Sequence, residues 1–518
     1  MTDTRPPGAD RAPGTRGRLA PLVAVAPAGA LPVLCFPEPS WWWLAPLALV
    51  PWLLLLRASG TARAAALRGW IGGTALMLAT HHWLLPNLHV FTPVLAALLG
   101  ALWAPWGWLV WRLLRGVPTA GRAAAAVTLI PCGWLAAEFV RSWEYLGGPW
   151  GVLGASQWQL APARQLASLG GAWLVSLLLV AVNTALALLC AVPGARRAGA
   201  LALAATAAVV GAAAAWAPAP RQAGTATVAL VQPGVLPGPQ ARFDHAERLT
   251  RALADRPPHD RPDLVVWGES GVGFDLAERP DLAERLRALS ADVDAPLLVN
   301  VDARRADAAE PGEGGIFKSA VLVEPAGVTE QRYDKTRLVP FGEYVPARPL
   351  LGWVTGVGEA ADQDRRRGER QVLIEVPPLR VGPVVSFEST FPDLTRHLAR
   401  DGADLLVVQA ATSTFQDSWA PEQHAAVAAM RAAETWRPVA HATLTGVSAV
   451  HDAHGRPVGP ALGTDQRAAH VYRVPLATGT SPYTRFGDWA PWLALGALAA
   501  AAARTAAPAS SGAWRSGR

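Results

Sequence analysis

The sequence predicts a multi-pass α-helical membrane domain of about eight spans, joined to an α/β domain that lies outside the cytoplasm. Three observations predict it. Apolar stretches of near-bilayer length recur up to Trp216 and return once near the end of the chain. The arginines between those stretches fall on one side of a membrane if the N-terminus is cytoplasmic. From Thr225 to Leu476, short β-branched runs alternate with helical patterns, as in sheets covered by helices. The composition of the 518 residues agrees, with 51% hydrophobic, 17% charged and 23 tryptophans.

Residues 1–18 are polar, rich in Pro and Gly, and predict a disordered cytoplasmic tail. The membrane domain, 19–217, holds seven expected spans: Leu19–Phe36, Trp41–Leu56, Gly69–Leu85, Thr92–Leu114, Ala123–Val140, Leu166–Val192 and Ala198–Trp216. An eighth, Trp489–Ala503, lies in 487–504, and 505–518 forms a second cytoplasmic tail. Arg5 to Arg18, Arg57 to Arg68, Arg112 to Arg122, Arg196 with Arg197, and Arg504 to Arg518 all take the same side. Arg141 and Arg164 are the exceptions. Residues 218–486 are then extracytoplasmic.

In that segment the expected strands are 228–232, 263–270, 296–302, 319–324, 371–376, 381–388, 403–410, 442–450 and 468–474. Helical patterns lie at Phe243–Ala254, Leu282–Ala291, Pro392–Arg400 and Pro421–Trp436. The net charge of +6 is spread between apolar runs, which excludes a nucleic-acid footprint. Cys35, Cys132 and Cys190 all sit in apolar runs without ligand spacing, so neither a disulfide frame nor a zinc site is implied.

The most informative stretch is Gln331–Pro346, QRYDKTRLVPFGEYVP. Only two lysines, Lys318 and Lys335, occur among 46 basic residues, so wherever a generic cation serves, this chain uses Arg. A lysine kept in that background suggests work that needs a compact ammonium. Lys335 precedes Glu343 in a proline-bracketed loop. Two apolar strands end in chemistry as well: VVWGES in Glu269, and VVSFES in Ser386 and Glu388. An acid leaving an apolar strand is a candidate base, a neighbouring ammonium can neutralise an oxyanion, and a hydroxyl can act as nucleophile. Singly, each has a plain structural role as cap, turn or solvated charge.

Together, Glu, Lys and a nucleophile in that order resemble the carbon–nitrogen hydrolase (nitrilase) superfamily. With the membrane spans, LVVWGES, YDKTRLVPFGEYVP, VVSFE, APEQH and RAAETWRPVAHATLTGVSAVHDAHG resemble its integral-membrane branch, the apolipoprotein N-acyltransferases. That resemblance implies an extracytoplasmic αββα sandwich and a multi-pass enzyme of the bacterial cytoplasmic (inner) membrane, without cofactor or metal. It implies transfer of a fatty acyl chain from a phospholipid donor to the α-amino group of a diacylglyceryl apolipoprotein, through an acyl-enzyme. Carried over, Glu269 is general base, Lys335 stabilises the oxyanion, Glu343 orients the lysine, and Phe387 and Glu388 support the nucleophile position.

That position departs from the family: Ser386 stands where the family has cysteine, and residues 218–486 contain none. The gap between a Glu near 4.3 and a Cys near 8.5 is about 4 pKa units. An alcohol, closer to water's ~15.7, widens it by about 7 units, or up to about 9 kcal/mol without compensation. A second reading is therefore a catalytically impaired homologue that binds phospholipid or lipoprotein. A third, a membrane-tethered amidase, leaves the spans without a purpose. Gly268 and Ala411–Ser413 also differ from the family pattern.

Overall fold

In the computed structural model the described residues are 23–303, 315–352 and 364–506. The expected tail at 1–18, and all but the first two residues of that at 505–518, lie outside them.

The helical region comprises α1 (Val25–Ala30), α2 (Val50–Arg57), α3 (Ala62–Thr80), α4 (Phe91–Gly100), α5 (Trp103–Leu114), α6 (Ala120–Arg141), α7 (Ala161–Ala191) and α8 (Arg196–Trp216). Thr61 caps α3 by accepting from the Ala64 N–H, and Thr119 caps α6 through Arg122. Glycines let the helices approach: a Cβ on Gly69 would lie 2.4 Å from the Trp103 carbonyl, and one on Gly73 2.5 Å from that of Gly100. In the space so formed, Trp52, Trp103, Trp106 and Trp134 pack edge to face, 4.9 to 6.0 Å between centroids.

Three helices are long and apolar enough to cross a bilayer: α6, α7 and Pro193–Trp216. The pair α4–α5, bent by 41°, makes a fourth if it counts as one span. The expected spans differ from the helices in detail. Thr92–Leu114 is this bent pair, and Trp41–Leu56 is a 3₁₀ turn at Trp42–Leu44 followed by the short α2. The helix expected from Leu166 begins at Ala161 and breaks at Gly170 and Gly171, where Gly171 has φ of +71°.

The α/β region begins with β1 (Arg221–Gln232). It continues through α9 (Gly238–Arg251), β2 (Leu264–Trp267), α10 (Pro280–Val293), β3 (Leu297–Ala303), β4 (Phe317–Glu324) and β5 (Gly327–Asp334). The second half has β6 (Ile374–Val376), β7 (Leu379–Val385), α11 (Pro392–Asp401), β8 (Leu405–Ala410), α12 (Ala420–Thr435), β9 (Val439–Thr443), β10 (Ala449–His451) and β11 (Ala468–Thr478). A final helix, α13 (Trp489–Ala506), follows.

The strands form a six-stranded sheet, β11-β1-β2-β3-β4-β5, and a five-stranded sheet, β10-β9-β8-β7-β6. Alternation along each strand decides the layering. Val228 and Leu230 share one buried cluster with Leu405 and Val407, so the sheets pack face to face. Ala229 and Val231 instead face Phe243 of α9 and Leu282 of α10. Leu406 and Val408 face Leu398 of α11 and Ala428 of α12. The result is a four-layer αββα sandwich.

Two expectations need correction. Gly327–Asp334, where no strand is expected, form β5, whose polar outer residues give no apolar run. The run 442–450 is the end of β9 and the start of β10, separated by a turn in which Gly446 adopts φ of +128°.

Candidate active site

Glu269 leaves the end of β2, and its N–H donates to the Ala410 carbonyl at the end of β8, 3.1 Å away. The two sheets therefore meet beside it. That approach requires Gly268, because a Cβ there would lie 2.0 Å from the Leu444 nitrogen. Next in the chain, Ser270 takes a left-handed backbone with φ of +53°, and its N–H donates to Asn300 Oδ1. The chain thus turns sharply as it leaves the carboxylate.

Lys335 follows β5 and is 1% exposed. Its Nζ lies 2.8 Å from Glu343 Oε1 and 3.6 Å from Glu269 Oε1. The other Glu343 oxygen accepts from the Val339 N–H at 2.8 Å, so the loop's own backbone aims the carboxylate at the lysine. Burial alone pulls the ammonium's pKa down. The charges of Glu343 and Glu269 outweigh it and hold the pKa above the usual lysine value. Lys335 is therefore a fixed cation, suited to meeting negative charge and unsuited to removing a proton.

Ser386 begins a 3₁₀ turn, Ser386–Thr390, after β7, with φ of +52°. A non-glycine residue in that region costs about 1–3 kcal/mol and persists only when its surroundings hold it. They do. Ser389 Oγ donates to the Ser386 carbonyl at 2.9 Å, and His424 Nε2 lies 3.1 Å from the same oxygen. His424 Nε2 is also 2.8 Å from Ser389 Oγ. Burial, the largest influence, pushes His424 down to about 4, so it is neutral and donates through Nε2–H.

Glu388 is fully buried and acts as a clip. Its Oε1 accepts from Tyr333 Oη, Thr336 N and Thr336 Oγ1, each at 2.7 Å, and from Arg337 N at 3.0 Å. Its Oε2 accepts from Val385 N at 2.8 Å. The carboxylate thus ties the backbone flanking Lys335 to the backbone preceding Ser386.

The structure brings Glu269, Lys335 and Glu343 into direct contact. Ser386 is tied to the backbone beside Lys335 through Glu388, and among the described residues no hydrogen bond joins its hydroxyl to the three. Among the described residues, no cluster of three or more His, Cys, Asp or Glu side chains forms a metal site.

Comparison with known proteins follows the same division of the chain. Residues 28–185 match the apolipoprotein N-acyltransferase N-terminal domain, and residues 227–480 match carbon–nitrogen hydrolase. A protein of Azotobacter vinelandii named apolipoprotein N-acyltransferase is 32% identical, over 90% of this chain and 92% of its own length. The chain belongs to the apolipoprotein N-acyltransferase family. A relative of the same name in Geobacter metallireducens is 29% identical over 93% of this chain and 94% of its own. A solved CN-hydrolase superfamily protein from Xanthomonas campestris shares 20% identity across 49% of this chain and 91% of its own, with a TM-score of 0.36.

In this N-acyltransferase family member the two matched regions meet at the site. Phe387 and Phe391 stack edge to face at 4.9 Å and close on Gly148, where a Cβ would lie 2.8 Å from Phe387 and 2.7 Å from Phe391. Glu144, in the loop after α6, pairs with Arg337 at 3.3 Å and Arg367 at 3.2 Å. Trp150 is buried and donates to Gln423 Oε1 on α12. The two exceptional arginines also make contacts here, although Arg141 Nε and Nη2 are buried without a hydrogen-bond partner among the described residues. Arg141 donates to the Gly148 carbonyl, and Arg164 to those of His454 and Trp158.

Two residues at the site escaped the sequence reading. Lys318 pairs with Asp302 at 2.8 Å and contacts Ser270 Oγ, while its carbonyl accepts from the Lys335 N–H at 2.9 Å. Both lysines of the chain therefore stand at the site, and the scarcity of lysine is the signal in the sequence that points to Lys318 as well as to Lys335. His424 carried no signal beyond its place in APEQH.

Proposed function

We propose that this protein moves a fatty acyl chain from a membrane phospholipid to the N-terminal α-amino group of S-diacylglyceryl-cysteine lipoproteins. The buried Glu269–Lys335–Glu343 contact beside the left-handed turn at Ser386 carries the proposal. The names of the relatives support the lipoprotein acceptor. Ser386 Oγ attacks the acyl ester carbonyl as Glu269 takes its proton. Lys335 meets the charge that develops on the carbonyl oxygen, and Glu343 holds the ammonium in place. The C–O bond to the glycerol breaks, Glu269 returns its proton to that oxygen, and lysophospholipid leaves. The acceptor amine then attacks the Ser386 ester and gives a proton to Glu269; the C–O bond to Ser386 breaks, Glu269 passes the proton to the serine oxygen, and the N-acylated product leaves.

In this reading about eight segments cross the bacterial cytoplasmic membrane, and residues 218–486 work on its outer side. Reporter fusions at Gly314 and Gly512, both outside the described residues, are expected to report opposite compartments. The activity is tested with purified full-length protein, labelled phospholipid and a diacylated lipopeptide. N-acylation by the wild type that disappears in Glu269→Gln supports the proposal, and equal turnover by both rejects it. The serine at position 386 favours one other reading, a catalytically impaired homologue that binds phospholipid or lipoprotein. It predicts lipopeptide binding without turnover in either protein.

A further inference from the structure

A groove of about 840 Å³ opens where α5, α6 and α13 meet. Its walls are apolar, formed by Leu102, Leu109, Leu129, Ala137, Val140 and Leu498. Its lining also includes Arg112, Arg115, Arg122 and Arg504. The arginines converge from three helices: Arg112 and Arg115 at the end of α5, Arg122 in the first turn of α6, and Arg504 in the last turn of α13.

The surrounding sequence supplies no counter-ion. There is no Asp or Glu from Pro39 to Ala137, and none from Trp489 to the end of the chain. What holds the guanidinium groups is weaker. Arg112 lies over Trp108 at 5.7 Å, Arg115 over Trp111 at 4.4 Å, and Arg122 donates to the Arg115 carbonyl. Arg122 Nε is buried without a hydrogen-bond partner among the described residues.

This end of the helices is remote from the candidate active site. The other end of α6 leads into the loop that touches Phe387, and a 22-residue helix places its ends about 33 Å apart. That is close to the ~30 Å of a bilayer's hydrocarbon. From Leu102 to Arg115 the groove runs about 20 Å along α5, enough for a lipid tail in one leaflet.

We propose that this groove is a binding site for one anionic membrane phospholipid, separate from the site of acyl transfer. The four arginines take its phosphodiester, and an acyl chain lies along α5 and α6. Apolar walls select a lipid over free phosphate, and the uncompensated positive charge selects an anionic headgroup over a zwitterionic one. The bound lipid ties α13, which returns from the catalytic region, to α5 and α6.

Native mass spectrometry of the purified full-length protein tests this, with equimolar phosphatidylglycerol and phosphatidylcholine of identical chains. The expected result is one retained phosphatidylglycerol, preferred about tenfold or more over phosphatidylcholine, with the preference lost in Arg112→Gln/Arg122→Gln. Arg63→Gln, an exposed arginine outside the groove, leaves it unchanged. Ala502→Trp, which fills the groove and keeps every arginine, lowers retention. Should the double variant not purify, Arg504→Gln alone, at an exposed helix end, reads the same loss in smaller measure. Equal retention of both lipids, an unaltered preference in the arginine variants, or a dimer in place of a lipid adduct overturns the proposal.

Discussion

The carboxylate of Glu388 accepts a 2.7 Å hydrogen bond from the backbone N–H of Thr336, the residue after Lys335. The same carboxylate holds the N–H of Val385, the residue before Ser386. One buried side chain thus joins the backbone beside Lys335 to the backbone beside Ser386. Glu388→Ala strands several buried donors at about 1–3 kcal/mol each. It should lower the thermal unfolding midpoint and remove acyl transfer together. Glu388→Gln keeps the volume but turns an N–H₂ towards existing donors. We expect a fall in kcat of about 100-fold in a fold that still purifies, since misplacing reacting groups by about 1 Å costs that much. Wild-type kcat in Glu388→Gln would remove the clip from the mechanism.

Ser386 separates chemistry from stability. Ser386→Ala should abolish N-acylation. Ser386→Cys should preserve or raise it, because Glu269 then faces a proton several pKa units easier to remove. Ser386→Gly should also abolish turnover while stabilising the fold by about 1 kcal/mol or more, since glycine adopts φ of +52° without strain. Equal turnover in wild type and Ser386→Ala would end the nucleophile assignment.

Lys318 acts through Ser270 and Asp302 on the turn that follows Glu269. Lys318→Met should lower kcat about tenfold or more with KM unchanged, as expected when the proposed general base is misplaced. Lys318→Arg should not restore it, because a planar guanidinium cannot reproduce a compact ammonium wedged between a hydroxyl and a carboxylate. Full activity in Lys318→Met would make the second lysine an ordinary ion pair.

Acid should weaken the fold through three buried histidines. Burial is the main cause that lowers His424 from 6.5 to about 4, and His441 and His451 from 6.5 to about 3. The unfolded chain therefore binds protons at a pH where the native state does not. Their contribution is fully present above pH 6.5 and lost as pH falls towards 4. The slope is about 1.4 kcal/mol per pH unit for each histidine that acts. Unfolding midpoints measured from pH 7.5 to 4.5, at roughly constant ionic strength, should fall, and less steeply in His441→Phe. A flat profile would contradict the burial.

Where burial follows from alternation, the sequence was readable. Val228 to Val231 announce a strand with both faces covered, Glu269 and Ser386 stand out as polar residues ending apolar runs, and Lys335 stands out as one of only two lysines. β5 was not readable, because an edge strand solvated on one side needs no apolar run, so its residues Thr329 to Arg332 look like a loop. The spans were legible as composition but not as geometry. Nothing in Thr92–Leu114 fixes a 41° bend, which depends on which glycines and tryptophans the neighbouring helices present. Glu388 was placed by position alone. Its clip joins residues far apart in sequence, and no local pattern encodes a carboxylate's distant donors.

The break in α7 bears on the order in which the molecule is made. Past Gly170 and Gly171 the helix restarts, and the buried Ala172 N–H donates at 2.8 Å to Glu434 of α12, 262 residues later. A ribosome delivers the restarted helix long before its cap exists. Until α12 has been synthesised and folded, that N–H lacks the partner it has in the finished fold, so the part of α7 after Gly171 should sit loosely among the other helices. Arrival of Glu434 would then serve as a signal of completion, fixing the early-made half only once the late-made half is whole. A chain truncated before α12 should expose α7 to quality-control proteases, however well its earlier segments have inserted.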